Sequence, residues 1–421
     1  MPFGCEYRDQ MGRSIAIAVL CSACTFHAPT SSQSSDAGGD GGGGDIDADT
    51  RPIGRCGTPG AITDGFSSAN LARWTQTSSG GGLVAVANGE LAVTSGTGGV
   101  TAVVSRSSVD LENAAAELGV VDIGDAHAVF RLAFDDTRVL GIEAQGGSLA
   151  AIVNGSVLAT TTYSHDDRYW RISEAANTVT FETSVDRTAW RPIGTFTTPT
   201  YVTAVHLVVG TDGPAGGALP ARFDGVNEGV ASASWCKTAA LVDTFDAVTV
   251  QPFGPLWNNS GITGTHCTES VSGGSAHSNQ DGAGASDCWF ASSTSYDLRA
   301  GSVSTYITTI SNFTAGWRTY LSTRDDADRD VTIAFDNNEM CATGTNIART
   351  CIAYASNLEY WRLREDAGTV YFEVSSDNAS WIEVHHEVTQ LTASAVRAQV
   401  GTITDAAIGQ FIGLSISDIN P

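Results

Sequence analysis

The sequence predicts an all-β protein built as two tandem antiparallel β-sandwich domains. Three observations carry that expectation: the composition, the alternation of apolar and polar residues between turn signals, and a series of blocks that recurs in order further along the chain. Charged residues make up only 16 % of the 421, so long solvated helices are hard to build, while 46 glycines and abundant Thr, Ser and Val suit short strands and tight turns. The length exceeds one compact core and suits two or three at about 150 residues each. A net charge of −24 repels phosphate backbones, which excludes nucleic acid as a partner, and serves solubility.

The N-terminus reads as an export signal. Arg13 precedes the apolar run Ile15 to Leu20, and Cys21-Ser22-Ala23-Cys24 comes directly after it. A basic start, a short apolar stretch and small residues before the cut describe a secretory signal, and the run is too short to cross a bilayer. Small residues before a Cys resemble the lipobox of bacterial lipoproteins, which makes Cys24 the expected lipidation site; Cys21 stands where Leu is usual. Glu6 and Asp9 fit a basic segment poorly, so Met11 competes with Met1 as the start. Residues 25–55 are mostly Ser, Asp and Gly and cannot bury enough apolar surface to order themselves, which makes them a tether. Within it Asp45-Ile46-Asp47-Ala48-Asp49 lacks the glycine and closing glutamate of a calcium loop and reads as a solvated linker.

An internal duplication sets the domain boundaries. Tyr169-Trp170-Arg171-Ile172-Ser173-Glu174 matches Tyr360-Trp361-Arg362-Leu363-Arg364-Glu365, and the segments ending in Trp190 and Trp381 match as well. Earlier, Cys56, Asp64-Gly65-Phe66 and Trp74 correspond to Cys236, Asp243-Thr244-Phe245 and Trp257; at the far end Phe223 corresponds to Phe411. Residues 56–235 and 236–421 are therefore the two expected domains. Inside them Tyr169 to Glu174 alternates, with Trp170 and Ile172 on one face and Tyr169 and Arg171 on the other. His206 to Gly210, Val303 to Ile310 and Val331 to Phe335 read as further strands, and no segment sustains a helical period.

Tyr-Trp-Arg, a turn, Thr-Val-x-Phe-Glu-x-Ser-x-Asp and a further Trp resemble a hairpin of concanavalin A-like jelly-roll domains of the laminin G and legume-lectin type. The resemblance spans about 35 residues of each copy and the rest only by strand rhythm. It implies a sandwich whose first and last strands lie side by side, and hence a Cys56–Cys236 bridge, with Cys267–Cys288 and Cys341–Cys351 as local staples of the second copy. An even count of cysteines in an exported chain favours disulfides over metal ligation. That superfamily hosts lectins, glucanases, adhesion modules and spacers, so the fold alone implies no activity.

Catalytic residues are expected to be absent. The Glu-x-Asp-x-x-Glu string of glucanases on this fold does not occur, and Glu112 and Glu117 are wrongly spaced in an Ala-rich stretch read as a turn. His385-His386-Glu387 lacks the second histidine of a zincin helix and reads as a strand edge. No cofactor is required. Asp135-Asp136 and Asp325-Asp326, the latter with Asp328 two residues on, fall at matching places in the copies; they read as hairpin turns, with Ca²⁺ the cation such oxygen ligands would suit. Trp170, Trp361, Trp190 and Trp381 recur and are assigned to packing. Trp289, beside Cys288 in an expected loop, is the candidate sugar-stacking platform, joined by Tyr169, Arg171, Tyr360 and Arg362 on the solvent faces of their strands. The function expected is a lipid-anchored, surface-tethered, non-catalytic carbohydrate-binding or adhesion protein of the bacterial outer membrane or cell surface. Its partners would be glycans, and it would meet the membrane through the anchor alone. A divergent polysaccharide hydrolase and a spacer without small ligands are the alternatives.

Overall fold

The computed structural model describes residues 57–420 apart from 70, 126, 214–218, 247–255, 259–265, 312–316 and 405–411. The expected signal, Cys24, the expected tether and Cys56 lie outside the described residues, as does Phe411. No helix among the described residues is long and apolar enough to cross a membrane.

Period-two alternation produces strands throughout. The first copy consists of β1 (Trp74–Ser78), β2 (Leu83–Ala87), β3 (Glu90–Thr94), β4 (Thr101–Ser105), β5 (Ala115–Asp122), β6 (Ala128–Ala133), β7 (Val139–Gln145), β8 (Ser148–Val153), β9 (Ser156–Thr162), β10 (Tyr169–Ala175), β11 (Thr178–Ser184), β12 (Arg191–Thr197), β13 (His206–Thr211) and β14 (Ala221–Val226). The second repeats it with β15 (Trp257–Asn258), β16 (Cys267–Ser272), β17 (Ser275–Gln280), β18 (Ser286–Ser292), β19 (Ser302–Ser311), β20 (Trp317–Asp325) and β21 (Asp330–Asp336). It continues through β22 (Glu339–Gly344), β23 (Ile347–Ala353), β24 (Tyr360–Asp366), β25 (Thr369–Ser375), β26 (Trp381–Val388), β27 (Val396–Thr404) and β28 (Ile412–Ile419).

Each copy is a sandwich of two seven-stranded sheets. In the first the orders are β1-β4-β13-β6-β7-β8-β9 and β12-β11-β10-β5-β14-β3-β2; the second has the same two orders strand for strand. The named strands all pair antiparallel, and Asp64 bridges Val226 as Asp243 bridges Ile419, which sets the opening segment of each copy beside its last strand. These are two tandem antiparallel β-sandwiches with jelly-roll topology. Tight turns make the hairpins: Asn88-Gly89 between β2 and β3 has φ of 57° and 80°, the left-handed pair that matches strand twist.

Alternation also makes the cores. Trp170, Ile172, Val179 and Phe181 point inward from β10 and β11, as Trp361, Leu363, Val370 and Phe372 do from β24 and β25, all fully buried. The two cores share no residue. One correspondence drawn from sequence shifts. Phe223 faces Val120 on β5 while Ile416 faces Ile307 on β19, so Ile416, not Phe411, occupies the place of Phe223. An aromatic at the head of the segment misled the alignment; the inward register decides.

Two of the disulfides implied by the resemblance are present. Cys267–Cys288 ties β16 in one sheet to β18 in the other, with a Cα separation of 5.6 Å, and Cys341–Cys351 joins directly opposed residues of β22 and β23 at 4.1 Å. Cys236 is also disulfide-bonded. The two intra-copy disulfides fit an oxidising, extracytoplasmic setting.

Candidate functional site

The outer face of the β15-β18-β27-β20-β21-β22-β23 sheet carries a groove of about 300 Å³. Its floor follows from alternation: Cys288 and Phe290 turn into the core, so Asp287 and Trp289 turn out. Tyr320, Ser322 and Arg324 from β20, Gln399 and Ile403 from β27, and Thr332 from β21 complete it. Gly401 lies opposite both Trp289 and Tyr320 in register, where a Cβ would collide with the Cys288 carbonyl and the Trp289 backbone. The Tyr320 hydroxyl donates to Asp287 Oδ1 at 3.0 Å. Burial, with the adjacent Asp287 charge, holds the Tyr320 phenol well above its ordinary range, and burial pushes the Asp287 carboxyl up against the nearby charges of Arg324 and Arg318. Trp289 is half-buried on a strand, not on the loop expected from sequence; Asp287-Cys288-Trp289-Phe290 alternates, which the neighbouring Gly and Ser residues disguise.

The first copy has the same sheet without the groove chemistry. Gly210 pairs with Ala102 and Val129 where Gly401 pairs with Trp289 and Tyr320. The same registers place Arg131 where the second copy has Ser322, and Glu143 where it has Ala334. There His127 Nε2 meets Glu143 at 2.8 Å, and Arg131 bridges Glu143 and Asp212, each at 2.6 Å. Despite burial, these partners hold Glu143 below the usual carboxylate range. It is a closed network with its charges spent on one another.

The other candidates from sequence lie apart from the groove. On the opposite sheet, Arg171 stacks on Trp190 at 3.9 Å and donates to Glu182 at 2.8 Å, while Arg187 lies over Tyr169 at 4.2 Å. Arg362 repeats this on Trp381 at 3.8 Å with Glu373 at 2.7 Å, and Tyr360 stacks on Tyr306 at 4.7 Å. Trp190, just before β12, and Trp381, at the head of β26, are thus half-buried outer-face residues, not core: each lies under an arginine, a cation–π packing that keeps the ring partly wet. Asp135 accepts from the backbone N–H of Thr137 and Arg138 and from the Arg138 side chain. Asp325 does the same with Ala327 and Arg329 and also caps Thr392. Asp326 faces Arg73 at 3.7 Å and Asp328 binds Arg106 at 2.5 Å, while Asp136 sits in the exposed β6–β7 turn. Glu117 lies on β5, buried and paired with Arg187, where a turn was expected. A cluster of Glu339 with Cys341 and Cys351 offers no metal site while the two sulfurs are bonded to each other.

Among the described residues, the groove's lining carboxylates are Asp287 and Asp330. They stand on β18 and β21, three strand spacings apart across the sheet, about 14 Å at ~4.8 Å per strand, and they are also out of register along it, since Asp287 lies level with Asp336 rather than Asp330. Paired carboxylates that hydrolyse glycosides stand about 5–9.5 Å apart. This pair does not meet that geometry.

Tandem jelly-roll sandwiches, one carrying an outer aromatic groove, are the class this architecture defines. Neither a family model nor a curated relative matches the chain in sequence. Among solved structures it is similar to a prokaryotic β-1,3-1,4-glucanase (lichenase) derived from a mouse hindgut metagenome, with 10% identity, 42% of this chain and 96% of that one covered, and a TM-score of 0.32. It is also similar to a Bacillus licheniformis β-glucanase (12%, 42% and 95%, 0.32) and a laminarinase from Flavobacterium sp. UMI-01 (9%, 42% and 96%, 0.32).

Proposed function

We propose that this is an exported, lipid-anchored glycan-binding protein whose second sandwich holds the saccharide and whose first carries no equivalent site. The observation that carries the reading is the substitution of Trp289 and Tyr320 for Ala102 and Val129 on sheets of identical strand order. Sugar rings present apolar C–H faces that lie on aromatic rings and hydroxyls that need fixed donors and acceptors. Trp289 and Tyr320 supply the first; Asp287, Arg318, Gln399 and Thr332 supply the second. A volume of about 300 Å³ is at the lower end for small-ligand sites, which suits a chain end or a short stretch of one. The spread of the groove carboxylates, about 14 Å across the sheet alone, favours binding over hydrolysis. Cys24 would carry the lipid and residues 25–55 the tether, setting the sandwiches clear of the membrane.

The test is a glycan array on residues 50–421, then titration of the best ligand against Trp289→Ala. Loss of at least tenfold in affinity, about 1.4 kcal/mol, with the fold unchanged by circular dichroism, is the expected result. Unchanged affinity in Trp289→Ala would refute the groove as the site. Membrane association is tested separately with Cys24→Ser, which should move the protein into the soluble fraction.

A further inference from the structure

Arg324 and Arg397 stand directly opposite each other on β20 and β27. Like charges in that position repel; Asp330, opposite Arg324 on β21, sets a negative charge on that side of the pair only. Neither arginine forms a hydrogen bond or ion pair with any described residue, and the Nε atoms of both are shielded without a partner. Gln399, next outward-facing along β27 and 3 % exposed, also leaves its Nε2 without a partner. Arg397 is 7 % exposed, and burial lowers its ordinarily very high pKa. The nearby charges of Asp326 and Asp328 work against that shift, but neither carboxylate bonds Arg397, and a shielded guanidinium without a bonded anion is costly to keep.

The neighbouring carboxylates are committed elsewhere. Asp325 is held by Arg329, Asp328 by Arg106 and Asp326 by Arg73, while Asp330 accepts from the hydroxyls of Thr332 and Thr345 at 3.0 and 2.9 Å. Asp287 at the far end accepts from Tyr320. Arg324 and Gln399 both line the groove, so their free donors converge at its β20–β27 end, with Arg397 alongside.

We infer that this end of the groove receives the carboxylate or sulfate group of an acidic saccharide, held by Arg324 and Gln399 with Arg397 supplying further positive charge. The inference rests on the groove being the saccharide site. A planar guanidinium matches either anion with paired hydrogen bonds. The protein's net charge of −24 opposes an anionic ligand at long range, but at physiological salt that field decays within about 8 Å, leaving the local cations to decide.

The experiment is calorimetric titration of the soluble chain at 0.15 M salt with oligo-uronates, sulfated oligosaccharides and neutral oligosaccharides of equal length, with free sulfate and acetate as separate arms. Acidic chains should bind at least tenfold tighter than neutral ones. Arg324→Met should abolish that gap while the variant still binds neutral chains, and it should keep the fold by circular dichroism, because no bonded partner is lost. Gln399→Leu should narrow the gap in the same direction. Equal affinity for acidic and neutral chains, or a gap that survives Arg324→Met, overturns the inference while leaving saccharide binding at Trp289 standing. Binding of free sulfate or acetate as tight as that of the acidic saccharides overturns it in favour of a simple anion site. If no saccharide binds and Trp289→Ala changes nothing, the groove reading falls as well.

Discussion

A carboxylate anchors the first buried tryptophan of each sandwich. Asp64 accepts from Trp74 Nε1 and from the Phe66 N–H, both at 2.8 Å, and Asp243 does so from Trp257 and Phe245 at 2.7 and 2.8 Å. The indole N–H needs such a partner once its ring is buried. Other aspartates cap turns, and their titration sets the acid limb of stability. For Asp135, burial raises the pKa, but hydrogen bonds from Arg138 and Thr137 outweigh it and bring the group to about 2 from 3.8. Asp297 is likewise brought to about 2, against burial, by Arg299 and Lys237. A depressed carboxylate contributes stability that is complete above its unfolded pKa and is lost as pH falls through the folded one. The urea midpoint should therefore hold steady above about pH 5 and drop between roughly pH 4 and 2, and Asp135→Asn with Asp297→Asn should lower the neutral plateau and flatten that drop. A drop as steep in the double variant would rule these two out. At this scale the sequence reveals which face a residue takes but not what covers that face. Trp170 and Trp361 were legible because period two and an apolar partner strand agree; Trp190 and Trp381 were not, because an arginine two strands away covers them.

The hairpins and their covalent ties belong to the scale of elements. The pairing of each opening segment with the last strand was legible through the fold resemblance, as were the two staples of the second copy. Strand β18 was hidden, because its Ser, Asp and Cys residues resemble a loop until Cys288, Phe290 and Trp289, Asp287 are seen to alternate. The staples differ in reach. Cys341–Cys351 closes 10 residues within one sheet, whereas Cys267–Cys288 closes 21 and ties the two sheets together. Loop entropy alone gives about 2.7 kcal/mol for the first and about 3.3 kcal/mol for the second. Replacing Cys267 and Cys288 with Ala should thus cost the second copy more in chemical denaturation than replacing Cys341 and Cys351. The reverse order would show that strain or unfolded-state structure dominates.

Across the whole molecule, the two sandwiches meet through a polar seam. The Ser107 and Ser295 hydroxyls share a hydrogen bond of 2.7 Å, the Ser108 N–H donates to the Ser293 carbonyl at 3.1 Å, and the Thr294 hydroxyl donates to the Ser108 carbonyl at 2.9 Å. Arg106–Asp328 and Arg73–Asp326 flank it. Hydrogen bonds of this kind net about 0.5–1.5 kcal/mol each and exposed ion pairs about 0–1, whereas each apolar core closes on itself without crossing the seam. The copies should therefore unfold as two transitions. Trp361 is fully buried in the second core, and its indole donates to the Leu358 carbonyl at 3.1 Å. Truncating it removes a large apolar group, leaves a cavity and costs about 3–5 kcal/mol, a large part of a domain's ~5–15. In scanning calorimetry Trp361→Ala should lower or erase one transition and leave the other within a degree or two of its wild-type midpoint. Trp170→Ala should do the converse. If either variant shifts both transitions together, the seam couples the sandwiches by more than its polar contacts supply. The Arg106–Asp328 bridge, which reaches the segment beside Arg324, would then be the first place to look for the coupling.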